Sequence, residues 1–513
     1  MSTTDFKDFA QVVNCLMSTY DEIVIPKNNY NLNSSISIPR NKTLRFEAGT
    51  CLNISSGVVF TIQGEFKAPC SRIFYGEGIV SGIRQVYPEW WGAEGGSPYN
   101  QWAYFQAAHD CVKGSAGSKG GVPTIFGGSG LFMLGNTFTL QPTEDCPIQF
   151  RGAGHGSTGT RFAPLPSFPS AVVFYVSGSN NPTNQLVDLH LSDFSVVHNG
   201  AGNGSVVTGL RIGTPINGYK IDGWHRGKVK NIMINNFTIG LEIVHSRQIR
   251  FERVSCWNNL VTNGATACYI YQAGGFSGDL TFVDCQFVAN IAAGCADVRI
   301  VSNNTISNGS NGNMIAGIKF ITCDFYQASQ KLIIYANAGS WIRDIWLNSC
   351  QFDGDSAQDI YIQANGIQSL IDNLNFNDCY CAGGNISSQP QVAISNTGGA
   401  KVGSVKFKGG SYQLAQGKTF SVSGVAGLSI VAVSVSDNNN QQGAAIQLTN
   451  CLRPVVKGNS LHRVTENYCS YFIQVDSDNS FPSVEGNIGA GIVSIKCVND
   501  LTGNISKVVI NNI

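Results

Sequence analysis

One spacing recurs through most of this chain and limits what it can fold into. An apolar residue is followed three positions later by a small residue, Cys or Asn, and two positions beyond that by another apolar residue. From about residue 189 the pattern runs Leu191/Phe194/Val196, Ile232/Asn235/Phe237, Phe251/Val254/Cys256, Phe282/Cys285/Phe287, Phe320/Cys323/Phe325, Leu347/Cys350/Phe352, Phe376/Cys379/Cys381, Phe407/Gly410/Tyr412 and Ile430/Val433/Val435. It continues as Val456/Asn459/Leu461, Val484/Asn487/Gly489 and a weaker Leu501/Asn504/Ser506, with first positions 17 to 41 residues apart. Repeats of this length, made of short alternating strands, bury their apolar faces only by stacking on one another. Most carry a second short strand upstream, as in Leu210 to Ile212, Leu241 to Ile243, Cys268 to Ile270, Val298 to Ile300 and Ile360 to Ile362. No helical periodicity separates these strands, so the reading is all-β: a parallel β-helix, a solenoid whose equivalent side chains recur about 4.8 Å apart.

Stacking turns residue types into columns. Cys285, Cys323, Cys350 and Cys379 are expected to form an internal stack of free thiols, since no CxxC pair or zinc spacing accompanies them. Asn235, Asn459, Asn487 and Asn504 fall in the same column, where a tight turn favours Asn. The sixteen cysteines are scattered through a long sequence whose first twenty residues lack the basic start and apolar core of a signal peptide. Reduced thiols and no secretion signal are therefore expected.

Charged residues make up only 13% of the 513, and 33 basic residues balance 33 acidic ones. That excludes a basic nucleic-acid footprint, and no apolar run reaches the roughly 20 residues of a membrane span. Neither nucleic acid nor membrane insertion is expected, and no cofactor or metal is called for.

The N-terminal third reads differently. Phe6, Phe9, Val13 and Leu16 have helical spacing and precede the strand-like Glu22-Ile-Val-Ile-Pro26. Ser97-Pro98 supplies an N-cap and first-turn proline for a second helix carrying Trp102, Phe105, Ala108 and Val112, followed by strands near Pro123 and Thr137. A helix over the open end of a β-helix hides its unpaired edge. The boundaries read as a β-rich capping region at 1–87, a lead-in motif and cap helix at 88–140, and the β-helix at 141–513.

Val86-Tyr-Pro-Glu-Trp-Trp-Gly-Ala-Glu-Gly-Gly96 resembles the lead-in motif of phage tailspikes built on the pectate-lyase-like right-handed β-helix, and Gln149-Phe-Arg-Gly-Ala-Gly154 is similar to the first-coil motif of that superfamily. Two features depart from the pattern. Tyr99-Asn100-Gln101 replaces the usual acidic pair, and no virion-anchoring domain precedes Met1, which implies a shortened chain or a spike attached through another protein. The resemblance implies a right-handed parallel β-helix with N-terminal capping helices, a homotrimer, and a bacterial surface polysaccharide as ligand. It further implies a place in the virion, at the phage tail or an adaptor protein, after synthesis in the bacterial host cytoplasm. It carries over no catalytic residue.

Hydrolysis of a glycoside needs two carboxyl groups, about 5 Å apart for retention or roughly 6.5 to 9.5 Å for inversion. Strand alternation turns Arg211, Glu242, Tyr269, Tyr271, Asp297, Arg299, Tyr335, Asp359 and Tyr361 outward. Glu242 and Asp297, two coils and hence about 9 to 10 Å apart, form the first catalytic pair, with Glu252, Asp279 and Asp222 next. Taken singly, each carboxylate reads more readily as a solvated or ion-paired surface residue than as a catalyst. Tyr269, Tyr271, Tyr335, Tyr361 and Arg299 suit sugar binding, although outward aromatics also stabilise strands by cross-strand packing. Trp224, His225 and Arg226 form the densest polar loop, readable as a sugar contact or a long turn. The acidic turn at 353–359 lacks EF-hand order, and His109, Asp110 and Cys111 cannot converge from consecutive helical positions. The leading reading is an endo-acting glycosidase on O-antigen or capsule. The alternatives are a polysaccharide lyase on the same fold and a receptor-binding adhesin without catalysis.

Overall fold

A computed structural model describes residues 9–115, 119, 121–143, 146–169, 171–177, 187–198, 208–214, 225–258, 264–272, 276–303, 314–337, 339–384, 389–440, 443–462, 469–489, 496–501 and 508–510. The chain forms a parallel β-helix with N-terminal helices and divides into two compact units, 1–206 with 225–233, and 207–224 with 234–513.

The first unit opens with three short coils. Glu22–Ile25, Thr43–Phe46 and Glu65–Lys67 stack in one parallel sheet; Asn29–Leu32, Cys51–Ile54 and Phe74–Gly76 form a second, and Ile36–Ile38, Val59–Ile62 and Ile79–Ser81 a third. Alternation sets the inward side chains: Ile23, Ile25, Leu44 and Phe46 are buried while Glu22 and Arg45 face water. Helix α1 (Phe9–Met17) closes the open end by inserting Phe9 edge-on against Tyr30, Phe46 and Phe60, at 5.6, 6.0 and 5.8 Å between ring centres. Helix α2 (Trp102–Lys113) repeats the device, with Phe105 against Phe132, Phe138 and Phe162 at 5.0, 5.6 and 5.0 Å.

Helix α2 does not start at Ser97-Pro98. Residues 96–101 are pinned to the strand Gly130–Leu134, where Gly96 donates to the Leu131 carbonyl (2.8 Å) and Gln101 to that of Met133 (2.7 Å). The capping acceptor is instead Asn100, whose Oδ1 takes the Trp102 N–H at 3.0 Å and the Gly135 N–H at 2.8 Å.

In the second unit one array contributes a single strand per coil, among them Thr208–Ile212, Ile239–Val244, Thr266–Gln272, Ala296–Asn303, Gln330–Asn337, Gln358–Asn365 and Val392–Thr397. The other contributes two per coil, as where Met314–Ile321 and Asp324–Tyr326 stack on Trp341–Asn348 and Gln351–Asp353. Between the paired strands the chain turns through one left-handed residue. These are Arg253, Asp284, Thr322, Ser349, Asp378, Gly409, Ala432, Gly458 and Gly486, all with φ between 50° and 65°. Seven of these turns bond to the next coil, as from the Thr322 N–H to the Asn348 carbonyl (3.0 Å) and from the Ser349 N–H to that of Asn377 (2.9 Å).

The expected triplets fill the core. Phe282, Cys285 and Phe287 are buried, and the Phe251, Phe282 and Phe320 rings stack at 4.6 and 4.8 Å. Cys285, Cys323, Cys350 and Cys379 are free, buried thiols; Cys285, Cys350 and Cys379 donate to carbonyls of the preceding coil, and Cys323 to the Ile321 carbonyl of its own. Two triplets were misplaced in the sequence reading: in the last, Leu501 is 52% exposed and Val484 pairs with Val509 instead, and the other lies around Asn235. Asn231 carries the left-handed turn (φ 51°) and donates from Nδ2 to Asp193 Oδ1 at 2.8 Å, so the buried set is Val229/Ile232/Ile234, not Ile232/Asn235/Phe237. Asn235 therefore leaves the column in which Asn459 and Asn487 bond to each other at 2.9 Å, and Asn504 lies outside the described residues.

Candidate functional site

Four strands of the single-strand array carry one outward column in strict register, Arg211 beside Glu242, Glu242 beside Tyr269, and Tyr269 beside Arg299. Arg211 Nε donates to Glu242 Oε2 at 2.6 Å, and Thr208 Oγ1 donates to the same oxygen at 3.2 Å. Glu242 is left only 7% exposed. Two coils further on, Arg299 donates from Nε to Thr266 Oγ1 at 3.0 Å and from Nη2 to the Gly294 carbonyl.

Two residues along the same strands a second outward column runs Tyr271, Val301, Tyr335 and Gln363. The rings of Tyr269 and Tyr271 stack at 5.4 Å and 29°. Tyr361, again in the first column, donates from its hydroxyl to Gln363 Oε1 at 2.6 Å. Burial, reinforced by Tyr271 and Glu242, raises the Tyr269 phenol above its ordinary range, so it stays a neutral donor. Burial also lowers the Arg299 guanidinium somewhat. The result is one half-buried face along which a carboxylate, two guanidiniums and four phenol rings are arrayed over six successive strands.

Sequence reasoning missed the amide ladder at the ends of these strands. Asn337 Nδ2 donates to Asn303 Oδ1 at 3.0 Å, and Thr397 Oγ1 to Asn365 Oδ1 at 2.8 Å. Asn recurring at strand ends 303, 337 and 365 was the available signal.

Asp297 and Asp359 do not face outward. Both are 0% exposed, in an interior column with Lys331 and Gln391. Lys331 Nζ donates to Asp359 Oδ1 at 2.6 Å; Ser356 Oγ donates to that oxygen at 2.8 Å, and Gln391 Nε2 to Oδ2 at 2.9 Å. Gly383 is required beside them, because a Cβ there would lie 2.5 Å from Asp359 Oδ1 and 2.7 Å from Lys331 Nζ. Asp297 Oδ1 accepts the Ala289 N–H at 2.7 Å, and burial pushes its carboxyl well above the usual carboxylate range against the pull of that N–H and of Lys331.

Alternation fails here for a local reason. The Asp359 and Ile360 N–H groups both donate to the Gln391 carbonyl, at 2.9 and 3.0 Å, an irregularity of the bulge kind that lets consecutive residues face the interior. Asp297 thus cannot meet a ligand on the outer face, and the Glu242–Asp297 pairing is withdrawn.

The remaining candidates scatter. Glu252 accepts from Arg250 Nε at 2.6 Å, and Asp279, at a left-handed turn, accepts from Arg247 Nε at 3.2 Å; both sit on the two-strand array, away from the tyrosines. Arg226, in the first unit, donates from Nε to Asp188 Oδ1 at 2.6 Å. Asp222, Trp224, the His225 side chain and residues 304–313 lie outside the described residues. Among the described residues no three His, Cys, Asp or Glu side chains are grouped to hold a metal ion, and no helix is long and apolar enough to cross a membrane.

No family model and no curated protein matches the chain. Similar solved structures include bacteriophage CBA120 tailspike protein 3, at 12% identity and TM-score 0.48, covering 83% of this chain and 61% of that one. The A-module of the Azotobacter vinelandii mannuronan C-5 epimerase AlgE4 aligns at 13% identity and TM-score 0.46, covering 80% and 99%. The Streptococcus pneumoniae surface protein and adhesin PfbA aligns at 11% and 0.45, covering 83% and 99%. The chain thus spans about three fifths of the tailspike's length.

Proposed function

We propose that this chain acts as a phage tailspike depolymerase, a homotrimeric β-helix that binds a bacterial surface polysaccharide, O-antigen or capsule, and hydrolyses it internally. The observation that carries the reading is the outward column Arg211–Glu242–Tyr269–Arg299 with Tyr271, Tyr335 and Tyr361 on the same face. Phenol rings offer flat apolar surface for sugar rings, guanidiniums bond their oxygens, and a carboxylate beside them is the group that glycoside hydrolysis requires. Paired with Arg211, Glu242 suits the role of nucleophile or base, and the proton donor is then a second carboxyl group.

A receptor-binding adhesin is the second reading. On the two columns between Arg211 and Tyr361, Glu242 is the one carboxylate among the described residues, and the bonds to its Oε2 come from this chain.

Digestion of purified O-antigen and capsule, followed by reducing ends, decides between them. Glu242→Gln is expected to cut turnover by about 10²- to 10⁴-fold with binding retained, and a Tyr269→Ala/Tyr271→Ala variant to lose binding. Wild-type cleavage by both variants refutes the assignment of the face. Unsaturated products absorbing in the ultraviolet make the chain a lyase, and binding with no fragment release makes it an adhesin. Light scattering reporting a monomer near 54.9 kDa rejects the trimer.

A further inference from the structure

The interior of the second unit holds a charged group that the proposed recognition face does not use. Strand register puts Asp297, Lys331 and Asp359 at equivalent positions of three successive coils, because Ala296 and Val298 pair with Gln330 and Leu332, which pair in turn with Gln358 and Ile360. The amine is thus flanked by one carboxyl group on the coil before and another on the coil after, each strand about 4.8 Å from the next. All three residues are 0% exposed.

Lys331 Nζ lies 2.6 Å from Asp359 Oδ1 and also donates to the Gly354 carbonyl at 2.9 Å. A nitrogen that close to a carboxyl oxygen stands roughly 3 to 3.5 Å from the carboxyl carbon, the separation of a near-attack contact. Ser356 Oγ donates to Oδ1 and Gln391 Nε2 to Oδ2, so both oxygens face donors that stabilise negative charge developing on them. Gln391 Nε2 is itself fixed by the carbonyls of Gly383 and Gln413, at 3.2 and 3.1 Å.

A simple ion pair explains Lys331 and Asp359. It does not explain Asp297, a third buried carboxyl group whose Oδ1 accepts the Ala289 N–H while its Oδ2 has no hydrogen-bond partner among the described residues. The Ala328 N–H and the charges of Lys331 and Asp359 are its other polar neighbours. Burial pushes this carboxyl well above the usual carboxylate range, so it keeps a proton that it can lend.

We propose that Lys331 and Asp359 condense into an intramolecular isopeptide bond, with Asp297 as the proton relay. The ion pair is the state before reaction. One proton passes from Nζ to the Asp359 carboxylate, leaving an amine and a carboxylic acid. The nitrogen lone pair then forms the N–C bond to Cγ, and the C=O electron pair moves onto oxygen, which takes the Asp297 proton. The nitrogen gives its second proton to Asp297, restoring it; one hydroxyl takes the proton of the other and leaves as water as the carbonyl re-forms. The sum is ammonium plus carboxylate giving amide plus water. Holding the reactants in contact supplies an effective molarity of about 10⁵ M or more, and the product removes two charges whose desolvation is costly. The bond joins residues 28 apart in sequence and restricts the unfolded chain as a disulfide does.

Intact-mass spectrometry of the full chain, fresh and after incubation below its Tm, with tryptic mapping, tests this. The chain is expected to be lighter than its sequence by one water, with trypsin failing after Lys331 and the Lys331 and Asp359 peptides recovered as one branched species. Lys331→Arg and Asp297→Asn are expected to keep their full sequence mass, and Asp359→Asn to lose ammonia in place of water. Circular dichroism checks that each variant folds, and the wild-type mass decides by itself. A wild-type chain still at full sequence mass after incubation overturns the inference. So does a water loss that maps to Asp353-Gly354, a pair prone to form a succinimide, or one that persists in Lys331→Arg. Water loss at an unchanged rate in Asp297→Asn overturns the relay.

Discussion

Two columns of polar side chains climb the same strands of the second unit, and on Ala296–Asn303 they are represented by Asp297 and Arg299, only two positions apart. Simple alternation puts both on one face, yet Asp297 is fully buried and Arg299 faces outward. The outer column lies at the surface but is partly shielded from water, the Arg211 and Glu242 side chains being 23% and 9% exposed. The inner column holds Lys331 and Asp359 at 2.6 Å with neither side chain exposed. Desolvation there costs several kcal/mol per ion, offset only because Lys331, Ser356 and Gln391 satisfy both oxygens of Asp359. Charged residues on the same strands thus stand on the outer face on one side and fix a single interior packing on the other, and an irregular corner decides which.

The comparison breaks most visibly at Lys331. Lys331→Met leaves Asp359 buried without its counter-charge and is expected to cost about 3–5 kcal/mol, read as a lower Tm and lost hydrogen-exchange protection in Gln330–Asn337. Adding Asp359→Leu should recover much of it. An unchanged Tm in the single variant contradicts a dry ion pair.

Asp297 gives a smaller effect with a defined sign. Its folded-state pKa is raised by burial, so the stability it supports is complete below the ordinary carboxylate range and is lost as pH rises toward the folded value. Asp297→Asn removes that loss: the variant's Tm should match wild type near pH ~4 and exceed it increasingly toward pH ~8. A pH-independent difference would place water at the carboxylate. Smallest is the outer column, where Tyr361→Ala is expected to change stability by about 1 kcal/mol or less while weakening polysaccharide binding. A large drop in Tm would make that tyrosine a packing residue instead.

The fold was legible wherever the core used residue types that mean one thing. Phe282, Cys285 and Phe287 share a three-plus-two spacing that only an inward-facing bend explains, and their burial follows. The reading slipped at Ile232/Asn235/Phe237 because Asn both ends strands and tolerates the left-handed turn; here Asn231 makes the turn and Asn235 ends the strand. The three N-terminal coils announce themselves only as first residues 22, 43 and 65, too few and too short to outweigh the helices beside them. For the outer face, period-two alternation was enough to bring Arg211, Glu242, Tyr269 and Arg299 together. It could not place Asp297, because the sharing of one carbonyl by two successive N–H groups, seen at Asp359, leaves no mark in residue type.

The left-handed turn divides the molecule into what evolution can edit and what it cannot. From Phe282 to Phe320 the chain spends 38 residues and from Phe407 to Ile430 only 23, yet the left-handed residue always follows the first inward position by two. One residue added at that corner would shift every later side chain of the coil to the opposite face, and a β-branched residue such as Thr322 already sits there at a cost of about 1–2 kcal/mol. Insertions and deletions are therefore confined to the other corners, whose loops can lengthen, shorten or be exchanged without disturbing the frame. A lineage built on this scaffold can change what it recognises by loop replacement while its interior columns, and the alignment of one coil on the next, pass through unaltered.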